Sequence, residues 1–398
     1  MNHNKKIKLL YLHANNKDIG GADYCLFKLV DQLDKDRFTP IVCLSMKTAI
    51  LDLYVKAGVK TYIIDMERIK KSKSPLFLIK LLAKFIPTVL KIVRLIKKEQ
   101  IDIVHGNDLL DIYGPVAGRI VGIPVAQYIR WILVIPLFFK KILTSFIYLL
   151  NDRIITVSDG VAREMFSTNN RIKRKVITCY DWIDMEKVGH NKKSTNIRHE
   201  FNIPSDTPVV GVIGRLEYWK GQEVFIRAAS IIMESFRSVK FMLIGGVVEG
   251  RGREQYRAKL EQLAEKLGIK DSVIFAGHRT DIYNIMNSLD ISVHSSVTPD
   301  PLPGVVMESM YCSLPVVGAN AGGVPEEVAD GETGILYTPG NSQEMADAVK
   351  YLLENLMIAK QMGIAGKKRV ERVFDKNILC RRMENIYNEI LGQKTDFQ

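Results

Sequence analysis

Short apolar, β-branched runs alternate with longer stretches of helical periodicity along this chain. The runs lie at Ile7–His13, Thr39–Leu44, Thr61–Ile64, Ile101–His105, Pro124–Ile129 and Arg153–Ser158. A second series follows at Val209–Ile213, Lys240–Gly245, Ser272–Gly277, Ile291–His294, Pro315–Gly318 and Gly334–Tyr337. Runs apolar on both sides are what a strand needs when helices cover both faces of its sheet. Strand then helix, repeated, predicts α/β architecture with parallel sheets. Two series predict two doubly wound, Rossmann-like domains. The first is expected over 1–187, a polar linker over 188–208 (N-K-K-S-T-N, then I-P-S-D-T-P) and the second domain over 209–374. A final helix near Lys376–Leu391 has Ile378, Leu379, Met383, Ile386, Tyr387 and Ile390 at helical spacing.

Two segments read differently. Trp131–Leu150 is rich in large apolar residues but is interrupted by Pro136, Lys140 and Lys141, which argues for a buried or surface-dipping helix rather than a bilayer span. Pro75–Lys98 sets Lys80, Lys84, Lys91, Arg94 and Lys98 beside Leu81, Leu82, Phe85, Ile86, Val89 and Ile92, with Pro87 expected to kink it. That is the pattern of a basic amphipathic helix.

With 398 residues, 47% of them hydrophobic and 25% charged, the chain can build two ordinary cores. Charge is unevenly distributed. Residues 1–200 hold 34 Lys and Arg against 19 Asp and Glu, and the remainder 22 against 25. Ten bases and no acid lie between Glu67 and Glu99. No nucleic-acid motif accompanies them, so the basic stretch 68–98 points to an anionic membrane surface rather than to nucleic acid. Cys25, Cys43, Cys179, Cys312 and Cys380 are far apart and sit in apolar sequence, as reduced core residues of a cytoplasmic protein do. The N-terminus enters a strand directly, with no signal-peptide pattern.

Candidate chemistry clusters where strands end, the place where an open α/β sheet binds ligands. After Val209–Ile213 comes G-R-L-E-Y-W-K-G, offering Gly214, Arg215 and Lys220. Arg can grip two oxygens of a diphosphate, and Lys adds a point charge where a leaving phosphate develops its own. After Ile291–His294 comes D-P-L-P-G-V-V-M-E, in which Asp300 and Glu308 flank a Pro/Gly turn. Pro303, Gly304 and Val305 set backbone amides at a helix start, a ready phosphate site. Glu308 can accept hydrogen bonds from two adjacent ribose hydroxyls. Gly20 and Gly21 allow close backbone approach after the first strand, and Gly322 and Gly323 repeat that logic later. His105, Asn107, Asp108 and Arg130 stand at the ends of two further strands. G-x-G-x-x-G after the first strand and G-x-x-x-x-G-K-[ST] are both absent, which argues against a dinucleotide fold of the usual type and a P-loop ATPase. Asp34-Lys35-Asp36 matches D-x-D but lies in a charged turn after a helix, so no metal site is read there.

These residues resemble the retaining glycosyltransferases of family 4, with the GT-B fold. The likeness covers nearly the whole chain. It is densest in G-R-x(4)-K-G at Gly214–Gly221, the acid-x7-Glu motif at Asp300–Glu308 and P-V-V-G-A-N-A-G-G-V-P-E after it. G-G-A-D at Gly20–Asp23 and I-I-T-V-S at Ile154–Ser158 fit as well. The resemblance implies two domains facing across a cleft, with the C-terminal helix (375–398) crossing back to the N-terminal acceptor domain. It implies that Arg215 and Lys220 hold the donor diphosphate, Glu308 the ribose, and Pro303, Gly304 and Val305 the phosphates and sugar, with His278 and Arg279 near the base. Gly20, Gly21 and Gly214 complete the donor set. Asp300 and His105 join the catalytic set, and Arg130, Asn107 and Asp108 form an acceptor set. Transfer with retention, without metal or other cofactor, follows from the same likeness.

Three departures stand out. Asp300 replaces the commoner Glu, with Leu302-Pro303 for the usual Phe-Gly. Arg130 stands where many relatives carry histidine. Trp182, in Y-D-W-I-D, replaces a common glycine. The first reading is transfer of a sugar from a nucleoside diphosphate sugar, UDP foremost, to a lipid-linked or glycan acceptor in surface polysaccharide assembly, at the inner face of the cell membrane. Alternatives are a sugar-nucleotide epimerase of the same fold, or a non-catalytic nucleotide-sugar-binding partner.

Overall fold

The computed structural model describes residues 6–15, 19–67, 75–166, 170–186, 197–247 and 254–392. The chain divides into two compact units, one of residues 1–181 with 376–398, the other of residues 182–375.

The first unit begins β1 (Ile7–His13), α1 (Gly21–Gln32), β2 (Phe38–Leu44), α2 (Ala49–Lys56), β3 (Lys60–Ile63), α3 (Pro75–Glu99) and β4 (Ile103–Gly106). It continues α4 (Tyr113–Val121), β5 (Val125–Ile129), α5 (Leu137–Leu150), β6 (Arg153–Thr156), α6 (Asp159–Phe166), α7 (Asn170–Lys173) and β7 (Val176–Thr178). Its sheet has the order β3-β2-β1-β4-β5-β6-β7, and every pairing is parallel. The direction of winding reverses between β1 and β4, which makes their carboxyl ends the natural ligand position. Leu10, Leu12, Ile41 and Val104 fill the core with Ile92 and Ile96 of α3. The three-residue edge strand β7 is absent from the sequence reading, because V-I-T is too short to register as a period-2 run.

The second unit contains α8 (Ile197–Glu200), β8 (Val209–Ile213), α9 (Gln222–Met233), β9 (Lys240–Ile244), α10 (Glu254–Lys266), β10 (Val273–Gly277), α11 (Ile282–Met286) and β11 (Ile291–His294). Then come α12 (Gly304–Tyr311), β12 (Val316–Ala319), α13 (Val324–Glu327), β13 (Gly334–Tyr337), α14 (Ser342–Glu354) and α15 (Leu356–Val373). The sheet order β10-β9-β8-β11-β12-β13, again all parallel, repeats the reversal, here between β8 and β11. Val210, Phe225, Phe241 and Leu352 mark its main core. The last helix, α16 (Lys376–Ile390), belongs to the first unit and buries Leu379, Met383, Ile386 and Tyr387.

The segment expected as a linker is only partly described. Its described part packs into the second unit, where Ile197 and Ile203 join Val209 and Met242 in a satellite core. It is therefore the opening of that unit rather than a polar tether. Of the basic stretch 68–98, residues 68–74 and the side chains of 75–82 lie outside the described residues. The helix itself runs unbroken through Pro87. No described helix is long and apolar enough to cross a membrane. The five cysteines are unpaired, and Cys43, Cys179 and Cys380 are buried.

Candidate active site

In the second unit, the loops after β8 and β11 meet at a single ion pair. Lys220 Nζ lies 2.5 Å from Asp300 Oδ2, and the same carboxylate oxygen lies 3.3 Å from His294 Nε2 and 3.4 Å from Ser296 Oγ. Burial opposes charge on Asp300, but the His294 hydrogen bond and the Lys220 ammonium outweigh it and hold the carboxyl well below the usual carboxylate range. Lys220 also stands over the Trp219 ring at 4.2 Å. Its charge is thus fixed in place at the strand ends and stays partly open to solvent.

Backbone contacts set this geometry. Gly221, at φ 68°, ends the loop, and a Cβ there would sit 1.9 Å from the Ser295 carbonyl oxygen. Ser295 Oγ in turn donates to the Lys220 carbonyl at 2.6 Å. Gly322, at φ 64°, leaves its missing Cβ 2.0 Å from the Asp300 carbonyl oxygen, and the Gly323 amide donates to that oxygen at 2.8 Å. Only glycine fits both demands, left-handed backbone and bare contact. The pair G-G after β12 therefore props Asp300 from behind.

Arg215 is exposed, with Glu217 Oε1 3.6 Å away, while its carbonyl accepts from Gln222 Nε2 at 2.9 Å. The backbone is anchored and the guanidinium reaches outward. Pro303 is the N-cap of α12, so Gly304 and Val305 form its first turn, where amides lack intrahelical acceptors. Glu308, one turn further, is half-buried and accepts from Tyr283 Oη at 3.4 Å. Gly214 opens the loop, with a Cβ position 3.9 Å from the Lys220 chain. His278 is exposed just beyond β10. Arg279 lies at the same strand end and is paired. Its guanidinium pairs with Glu200 at 2.5 and 3.0 Å and with Asp281 at 2.8 Å, so it ties α8 to the strand end instead of presenting a free cation.

A further acid escaped the sequence reading. Glu327 is fully buried, and neither carboxyl oxygen has a partner among the described residues. Burial first, then the nearby charge of Asp300, pushes its acid well above the usual carboxylate range. In V-P-E-E it reads as an exposed helix-start charge, and nothing in the local pattern separates it from Glu326.

The first unit corrects three expectations. His105 is wholly buried in an aromatic cluster. Its Nδ1 lies 3.0 Å from Tyr387 Oη, which lies 3.0 Å from Tyr11 Oη. Burial, with the charge of Arg130, lowers its pKa to about 3. It is a neutral core histidine with no surface for a reacting group, so the catalytic assignment falls. Arg130 is buried too. It donates through Nε to Asp181 Oδ2 at 2.8 Å and through Nη2 to Oδ1 at 3.0 Å, lies over the Tyr128 ring at 3.6 Å and donates to Asn107 Oδ1. Asn107 is buried as well, with Nδ2 3.2 Å from His13 Nδ1. Both are interlocked structural groups rather than open acceptor contacts. Asp108 is half-buried; its Oδ1 accepts from the Leu110 amide at 3.2 Å.

These groups form one polar chain beneath the carboxyl ends of β1, β4 and β5. The Gly20 amide donates to Asp23 Oδ2 at 2.8 Å, and Asp23 Oδ1 lies 2.9 Å from His13 Nε2. The chain then passes through Asn107 and Arg130 to Asp181. Gly20 and Gly21 are exposed at its outer end. His13, Asp23 and Asp181 were not singled out: Asp23 and Asp181 lie inside quoted motifs, but their partnership with His13 and Arg130 depends on the parallel register that brings them together.

Comparison with known proteins gives three results. Residues 19–187 match the family described as Glycosyltransferase Family 4, and residues 193–369 match Glycosyl transferases group 1. A D-inositol 3-phosphate glycosyltransferase of Corynebacterium aurimucosum is 31% identical over 52% of this chain and 49% of its own length. An N-acetyl-alpha-D-glucosaminyl L-malate synthase of Bacillus anthracis is 25% identical over 61% of this chain and 60% of its own. The chain spans about half the length of the first of these curated relatives. Among solved structures, Anabaena HepE in complex with UDP superposes with a TM-score of 0.82 at 23% identity, over 96% of this chain and all of that one. A glycosyltransferase from Rickettsia africae reaches 0.82 at 20% identity, over 98% of this chain and all of that one. Both are similar in fold, and the two-sheet GT-B architecture is shared.

Proposed function

The chain belongs to glycosyltransferase family 4, and we propose that it transfers a sugar from a nucleoside diphosphate sugar, UDP foremost, to a lipid-linked or glycan acceptor in surface polysaccharide assembly. The observation that carries this reading is the Lys220–Asp300 pair, which fixes a partly exposed ammonium at the carboxyl ends of β8 and β11. Arg215 on the same loop and the first-turn amides of Gly304 and Val305 supply further positive potential for a diphosphate. Glu308, steadied by Tyr283, is assigned to the ribose hydroxyls. HepE, which shares the fold, was crystallised with UDP and with UDP-glucose, and this makes UDP the first base to test.

The reading has the donor's anomeric carbon–phosphate oxygen bond break while the acceptor oxygen bonds the same face of the sugar. The acceptor's proton passes to the departing phosphate oxygen. Arg215 and Lys220 neutralise the charge that collects on that phosphate. No side-chain base is called for, which accords with a buried His105 and a fully paired Arg130. The proposal includes metal-free transfer. It also places the chain peripherally on the inner face of the cell membrane, where a lipid-linked acceptor resides.

The test is calorimetry and product detection over a panel of UDP- and GDP-sugars, with Glu308→Ala as control. Binding of one UDP-sugar that the substitution abolishes supports the reading. Binding of none, by a folded protein, overturns it.

A further inference from the structure

Helix α5 is amphipathic the wrong way round. A surface helix normally turns its apolar stripe to the core, yet α5 buries only Thr144 and Ile147. Phe138, Ile142, Phe146 and Leu149 recur at spacings of four, four and three, which is one helical stripe, and all four are exposed, Phe138 and Leu149 by 69% each. Trp131 and Val134 extend the apolar surface ahead of the helix.

The neighbouring helices share this character. Helices α3, α4 and α5 make the successive crossovers β3 to β4, β4 to β5 and β5 to β6. All three steps run the same way across a parallel sheet, so right-handed crossovers put the helices on one face, and α4 packs against both of the others. Ile86 and Leu90 of α3 and Ile120 of α4 are exposed there. Together the three helices carry nine Lys and Arg and a single acid, Glu99. That acid is already engaged by Lys60 at 2.7 Å and Tyr62 at 2.6 Å.

A monomeric soluble surface seldom keeps so much contiguous apolar area. A second copy of the chain would set like charge against like across the same face. We propose that this face lies on an anionic lipid bilayer, with the α5 stripe entering the boundary between headgroups and acyl chains and bases of α3 and α5 meeting lipid phosphates, the single α4 base, Arg119, being paired with Asp152. This rests on the reading that the chain works on a membrane-borne acceptor. It moves the main contact from the stretch 68–98 to α5.

The test is flotation of the full chain with phosphatidylcholine vesicles, with and without phosphatidylglycerol, beside Phe138→Ser/Ile142→Ser. UDP calorimetry on both proteins reports folding and the donor site separately. The expected result is flotation of the unaltered chain with anionic vesicles only. The double substitution should weaken it about tenfold or more, since both charge and buried apolar area set such binding, and UDP affinity should be unchanged. If the unaltered chain floats and the variant floats equally well, the α5 assignment is overturned while the membrane reading stands. If the unaltered chain does not float with anionic vesicles at low salt, both fall. An unaltered chain that is dimeric in sedimentation, with a monomeric variant and no flotation of either, assigns the face to self-association and also overturns the proposal.

Discussion

Lys220 reaches across from the loop after β8 to bind the Asp300 carboxylate at 2.5 Å. The pair does two things at once. It satisfies a buried acid, and it holds an ammonium that would otherwise wander on its four-carbon stem. Replacing Lys220 with Ala leaves the buried Asp300 with only His294 and Ser296 as partners, and removes the fixed charge from the strand ends. Transfer should fall on the order of 10²-fold to 10³-fold in kcat/KM. Asp300→Asn keeps the shape but frees the lysine, and should cost less. Steady-state kinetics on both variants check the order.

Gly322→Ala should act at a distance in sequence. Its Cβ would meet the Asp300 carbonyl at 2.0 Å, and its φ of 64° disfavours a side chain. The loop must shift, with a destabilisation of about 1–3 kcal/mol. Nucleotide affinity should drop along with Tm. Thermal unfolding with and without nucleotide separates the two effects, and an alanine variant with unchanged affinity would break the link between Gly322 and Asp300.

Arg130→Met removes one partner of a buried pair. The remaining Asp181 carboxylate, held low by that arginine, would be stranded. A loss of about 3–5 kcal/mol is expected. Adding Asp181→Leu should recover much of it. If Arg130 instead served an acceptor, the single variant would keep its Tm and raise only the acceptor KM.

Asp111 gives a pH signature. Burial raises its carboxyl from 3.8 to about 7. An acid with a raised folded pKa keeps its proton while the unfolded chain loses one, so stability falls as pH climbs from about 4 to about 7. Asp111→Asn should therefore gain about 1–3 kcal/mol at pH 8 and little at pH 4. Chemical denaturation at the two pH values reads the difference directly.

The strands were legible because buried parallel strands are continuous apolar runs, and twelve of them stand out as such. β7 did not, since Val176–Thr178 offers only three residues. In the second unit the loop residues Arg215, Lys220 and Asp300 stood out as candidates because strand ends and glycines punctuate the sequence beside them. The partnership of Lys220 with Asp300 could not, because it depends on which strands adjoin. The same holds for His105 and Arg130, which look alike in sequence as polar ends of apolar strands. Tyr387, contributed by α16, covers the first, and Asp181 neutralises the second. Neither partner is near in the chain.

Isothermal calorimetry of UDP and UDP-sugars, on the unaltered chain and on Lys220→Ala and Glu308→Ala, tests the central claim most directly. The account predicts saturable binding of a UDP-sugar that is weakened at least about tenfold by either substitution, the loss of one charge-assisted contact. Binding that both substitutions leave intact would place the nucleotide elsewhere and contradict it.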